Sequence, residues 1–129
     1  MLTNGFINGF YDFYGKECVH KEAQVLLDDG DELSLGNEKI QVISTSGHSP
    51  GSLCFLCTDD SNNTFLITGD TLFASSIGRC DLWRGDESEM KASILKLSSF
   101  DQSAVIYPGH GAAAPLSTAL AVAKYYIDF

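Results

Sequence analysis

The sequence predicts an α+β fold: short strands in a mixed or antiparallel sheet with helices packed on it, in a single domain over residues 1–129. Three observations carry this expectation. Short apolar runs recur between polar turns along the middle of the chain, and their length suits strands rather than helices. Two later segments change to three- and four-residue apolar spacing, the period of a helix face. No repeat, low-complexity tract or linker divides the chain, and 129 residues with 44% hydrophobic content suffice for one core.

The elements follow in order. The first twenty-odd residues, rich in Gly, Asn, Phe and Tyr, lack periodicity and read as a loop-rich lead-in. Residues 22–27 form a strand candidate, followed by the acidic turn of Asp28, Asp29, Gly30 and Asp31. Residues 33–35 and 39–44 are the next extended pieces, separated by Gly36-Asn37, a hairpin signal. Residues 52–57 and 64–68 make another pair around the polar turn 58–63, and a further strand begins at Val105. Asp86 can cap a helix that carries Met90, Ile94 and Leu97 on one face, with Glu89 three residues beyond the cap. A second, alanine-rich helix covers residues 115–126, with Pro115 near its start.

Composition narrows the partners. A formal net charge of −9 opposes a nucleic-acid partner, which needs a basic face. An anionic small molecule stays open, because a bound metal can supply local positive charge. The sequence shows neither a bilayer-length apolar stretch nor a basic segment leading into an apolar one, so no membrane anchor and no signal peptide are expected. The four cysteines are Cys18, Cys54, Cys57 and Cys80. Cys54 and Cys57 could be a redox pair or half of a zinc site. On a strand, however, residues three apart point to opposite faces, so the thiols diverge. Reduced, buried thiols without a disulfide framework, in a cytoplasmic protein, are the expectation.

Three segments share one design, a metal-ligand candidate at the end of an apolar run beside glycine. They are Thr45-Ser-Gly-His-Ser-Pro-Gly-Ser52, Leu66-Ile-Thr-Gly-Asp-Thr-Leu-Phe73 and Val105-Ile-Tyr-Pro-Gly-His-Gly111. They put His48, Asp70 and His110 on strand-end loops, where side chains can converge. Imidazole and carboxylate together suit a divalent metal such as zinc. Asp70 is costly to bury unless it is paired, hydrogen-bonded or metal-bound. His20 lies in a polar stretch and reads as a solvated side chain. Ser49, Ser75 and Ser76 have no G-x-S-x-G elbow around them, which argues against a serine hydrolase.

In this order, T-S-G-H-S-P-G-S, T-G-D-T-L-F-A-S-S-I-G-R-C-D-L and Y-P-G-H-G resemble the metallo-β-lactamase superfamily, most nearly its small glyoxalase II-like hydrolases of thioesters. The resemblance runs from about Ala23 onward. It implies part of an αββα sandwich with metals at the edge between two sheets. It makes His48 a ligand of the first metal, Asp70 the catalytic carboxylate that bridges two metals, and His110 a ligand of the second. The implied cofactor is zinc, with iron or manganese as alternatives, and the implied reaction is attack of a metal-bound hydroxide on a small-molecule thioester. Within the S-x-G-R-x-D loop, Arg79 and Asp81 either order the loop by pairing or place Arg79 against an anionic substrate group.

The family's H-x-H-x-D-H segment has no counterpart ahead of His48. The expectation is therefore an N-terminally incomplete domain that binds metal weakly and turns over little substrate alone. Its partners would be a complementing N-terminal segment or a second copy of the chain. The rival expectation is a non-catalytic or partner-dependent truncated paralogue. A mononuclear iron persulfide dioxygenase relative is weaker, because Tyr107-Pro-Gly-His110 keeps the second-metal ligand.

Overall fold

A computed structural model of the chain describes residues 14–16 and 19–128. Six strands form one sheet in chain order: β1 (Glu32–Leu35), β2 (Glu38–Ser44), β3 (Leu53–Thr58), β4 (Thr64–Gly69), β5 (Val105–Pro108) and β6 (Ala114–Pro115). All neighbours are antiparallel except β4 and β5. That parallel pair needs a crossover, and helix α1 (Glu87–Leu97) lies within it. Helix α2 (Leu116–Ala123) follows β6. The architecture is the α+β arrangement expected from the sequence.

Alternation along the strands decides what is buried. Ile43 opposite Cys54, and Leu56 opposite Leu66, which in turn faces Ile106, turn to one side of the sheet. There they join Met90, Ile94 and Leu97 of α1 with Leu116, Ala119 and Leu120 of α2 in one core. The spacing of Met90, Ile94 and Leu97 is the helical period read from the sequence. Asp86 caps α1 by accepting from the Glu89 amide, as expected. On the other side of the sheet Val42 and Cys57 are buried, whereas Leu35, Ile67 and Tyr107 are exposed. Cys54 and Cys57 thus face opposite ways. No helix among the described residues is long and apolar enough to cross a membrane.

The expected strand over residues 22–27 does not form. The segment is irregular, and Val25 and Leu26 are exposed. β1 stays the edge strand of the sheet, and the segment forms no ladder with it. The acidic turn takes the edge instead: Gly30 N donates to Val42 O (2.8 Å) and Val42 N to Asp31 O (2.8 Å). The second helix starts where expected but ends at Ala123. Beyond it, Tyr125 N and Tyr126 N bond three residues back, tightening into turns, and both rings are exposed. Strand β6 and a short bridge between Leu72 and Ile77 carry no sequence signal that stands out. Cys18 and most of the lead-in lie outside the described residues.

Candidate functional site

Strand polarity gathers the three loops. β2 and β4 are both antiparallel to β3, and β5 is parallel to β4, so all three strands end at one edge of the sheet. His48, Asp70 and His110 follow those three ends.

The loop after β2 is clamped from several sides. Asp86 N donates to Gly47 O (2.8 Å), and Ser93 Oγ donates to Ser46 O (2.6 Å), so α1 grips two consecutive carbonyls. Gly47 sits at φ 138°, and a Cβ there would lie 2.5 Å from Met90 Cα, so only glycine lets the loop approach the helix this closely. Just upstream, Lys96 Nζ reaches Asp29 Oδ1 (2.6 Å) and Ser44 O (3.2 Å). Asp29 Oδ1 also accepts from Ser44 N (2.7 Å), and the Lys96 bond leads the contacts that hold its carboxyl below the usual range. Ser49 and Ser52 pair their hydroxyls (2.9 Å).

A buried polar network ties this loop to the one after β4. Thr45 Oγ1 lies 3.1 Å from Thr71 Oγ1 and 3.3 Å from Cys54 Sγ. Thr68 Oγ1 donates to Leu72 O at 2.7 Å. Thr45, Thr68 and Thr71 are fully buried, and each hydroxyl has a partner. Such a satisfied network fixes a single arrangement of the chains that share it. Sequence reasoning missed these threonines, although all three stand inside the motifs and Thr71 follows Asp70 directly.

The loop after β4 doubles back through the Leu72–Ile77 bridge. Phe73 N donates to Ser76 O (2.9 Å) and Gly78 N to Thr71 O (3.1 Å). Arg79 O then lies 2.8 Å from His48 Nδ1. The Arg79 guanidinium donates to both oxygens of Asp81, at 2.7 and 2.8 Å. That fork is the first cause of the Asp81 carboxyl being lowered to about 2. Both side chains are exposed, so the pair fixes local geometry more than it stabilises the fold.

The loop after β5 is more open. Gly109 N donates to Gly69 O (2.8 Å), and a Cβ on Gly109 would run into Asp70 Oδ1. The His110 ring lies tilted beside Phe73, with centroids 6.0 Å apart.

The three side chains meet around a shallow cavity of about 290 Å³, with Phe73, Ile77, Gly78 and Arg79 completing its lining. Asp70 Oδ2 lies 3.7 Å from His48 Nε2, and Asp70 Oδ1 lies 3.6 Å from His110 Nε2. These separations are too long for hydrogen bonds. Two donors at about 2.0–2.1 Å from a tetrahedral zinc stand roughly 3.3 Å apart, so the spacing and the donor types fit a divalent ion. The number of donors falls short, with two at each end of the carboxylate where catalytic zinc usually keeps about three. Among the described residues, no three His, Cys, Asp or Glu side chains form one metal-holding group. Cys54, Cys57 and Cys80 are free, and burial first of all raises each thiol, keeping them protonated at neutral pH. His20 is exposed in an irregular segment.

Comparison with known proteins identifies the family. The family model of the metallo-beta-lactamase superfamily matches residues 3–110. An uncharacterized protein of Mycobacterium leprae is 42% identical over 92 residues, covering 70% of this chain and 41% of that protein. A hydroxyacylglutathione hydrolase of Salmonella paratyphi A is 34% identical over 94 residues, covering 73% of this chain and 35% of the hydrolase. Among solved structures, the BLEG-1 B3 metallo-beta-lactamase superposes with a TM-score of 0.78 at 32% identity, over 91% of this chain and 56% of that one. The chain thus spans less than half the length of these two curated relatives. A family model that matches most of the chain, carried by a sheet whose strand ends bring the three motifs together, places the protein in the metallo-beta-lactamase superfamily.

Proposed function

We propose that this chain supplies the His48, Asp70 and His110 part of a two-metal hydrolase site of glyoxalase II type, acting on a small-molecule thioester. One observation carries the reading: Asp70 divides its two carboxylate oxygens between two histidines, Oδ2 toward His48 and Oδ1 toward His110. A single-ion site would instead turn both imidazoles toward one point. Similarity to a hydroxyacylglutathione hydrolase supports the thioester. Zinc is the proposed metal, with iron and manganese as alternatives, in a reducing cytoplasmic setting that suits the free thiols. In this reading Arg79 and Asp81 order the loop. With two donors for each ion, the chain alone binds metal weakly and turns over negligible thioester.

A second reading is favoured by Leu35, Ile67 and Tyr107, exposed on the side of the sheet opposite the core. A second polypeptide or a second copy of the chain would cover that side and complete the donor set.

Calorimetry with zinc tests the first reading. At most one weak site is expected, and Asp70→Ala should weaken it. A variant that binds zinc like the parent, together with loss of binding in Cys54→Ala, would move the metal to the thiols. S-lactoylglutathione should survive incubation with the zinc-loaded chain. Turnover that disappears in both His48→Ala and His110→Ala would refute the need for further donors.

A further inference from the structure

The two histidines hold their rings in different ways, and His48 alone has a backbone acceptor at its inner nitrogen. Arg79 O lies 2.8 Å from His48 Nδ1. A carbonyl oxygen can only accept, so in the neutral ring Nδ1 carries the proton and Nε2 keeps its lone pair. Nε2 is the atom that faces Asp70 Oδ2.

The carbonyl is placed by the loop beneath it. Gly78 N donates to Thr71 O, which returns the chain to the residue after Asp70. A Cβ on Gly78 would run into the backbone oxygen of Asp70 and stand 3.3 Å from His48 Cβ. Glycine at 78 is therefore what lets one strand of the loop lie against Asp70 while the next peptide meets the His48 ring. The Arg79–Asp81 fork closes the same turn from outside.

We infer that the Gly78–Arg79 backbone is the orienting element of His48, fixing the Nδ1–H tautomer so that Nε2 is offered toward Asp70 before any ion arrives. Gly78 and Asp81 are positioning residues, acting through the Arg79 carbonyl. A ring nitrogen held in this way leaves its opposite nitrogen already aimed. The consequence for metal affinity rests on the proposed metal site, whereas the tautomer does not.

The test reads the tautomer in the metal-free protein. Long-range proton–nitrogen NMR correlations at pH 8.5, with the His48 ring assigned through His48→Gln, should show the proton on Nδ1. A ring protonated on Nε2, or an even mixture, would overturn the inference. Gly78→Ala should release the ring to a mixture and weaken zinc roughly 10- to 100-fold, the usual cost of losing such a partner. Should that variant not fold, Asp81→Ala carries the test, because Asp81 is exposed and the fold does not rest on it. It should shift part of the ring population to Nε2–H and weaken zinc by a smaller factor. A folded Gly78→Ala that keeps the Nδ1 proton, or, where only Asp81→Ala folds, an unchanged tautomer in it, refutes the inference. An Nδ1–H ring in a protein whose zinc affinity ignores His48→Gln would leave the inference standing and remove the metal reading.

Discussion

His48 and His110 both follow a glycine at the end of a strand, yet the chain treats them differently. The His48 side chain is 24% exposed, its ring bonds to the Arg79 carbonyl, and its loop is gripped by α1. The His110 side chain is 78% exposed, and its loop is tied to the sheet by Gly109 N on Gly69 O. The same Gly-His pair thus gives one imidazole held in place and one that stands open at the rim. The difference comes from the neighbours. The loop after β2 is bonded to α1 and its cap, whereas β6 pairs only with the first two residues of β5 and leaves the end of that strand unpaired on this side.

The largest effect should come from breaking the clamp on the His48 side. Gly47→Ala adds a Cβ against Met90 Cα at a positive φ. Both the helix and the loop backbone must then shift, and a loss of about 3–5 kcal/mol is expected in urea denaturation. A loss below roughly 1 kcal/mol would mean that the loop is not pinned by α1. Thr71→Val removes the hydroxyl that meets Thr45 Oγ1 in a fully buried position. It should cost about 1–3 kcal/mol, because Thr45 loses a partner where water cannot replace it.

Gly109→Ala is the matching change on the other side, and it should behave differently. Its nearest obstacle is the movable end of the Asp70 side chain rather than a helix backbone. Stability should change by no more than about 1 kcal/mol, while zinc binding in calorimetry falls because the carboxylate is pushed aside. Equal destabilisation by Gly47→Ala and Gly109→Ala would erase the contrast between the two loops.

The smallest effect concerns pH. Asp81 is lowered to about 2, first by its hydrogen bonds to Arg79. A carboxyl depressed in the folded state contributes stability above its unfolded value, near 3.8, and loses it as pH falls through about 2. Between pH 5 and 8 the fork should be constant. Carbon-detected titration of Asp81 should give a midpoint near 2, returning toward the ordinary carboxylate range in Arg79→Ala. An unchanged midpoint in that variant would mean that the fork does not form in solution.

Legibility followed the range of the interactions. The hairpin around Gly36-Asn37, the Asp86 cap and the Met90, Ile94 and Leu97 face were readable, because each depends on residues only a few positions apart. Residues 22–27 misled because an apolar run promises a strand without promising a ladder, and here the sheet ends at β1. The role of Thr45 and Thr71 was hidden, since a hydrogen bond across 26 residues leaves no periodic trace. Nothing local to Gly78 signals that Asp70's backbone lies against it, because that contact is set by the return of the loop.

By itself the sequence determined the α+β class, the strand-end motifs and the residue types able to meet a divalent ion. These follow from local period, turn chemistry and donor identity. Only the tertiary structure decided that Asp70 shares its oxygens between two histidines, and that one of them is held from behind by a carbonyl 31 residues away. Strand polarity and the return of a loop on itself set those distances, and both are properties of the assembled sheet that no single segment contains.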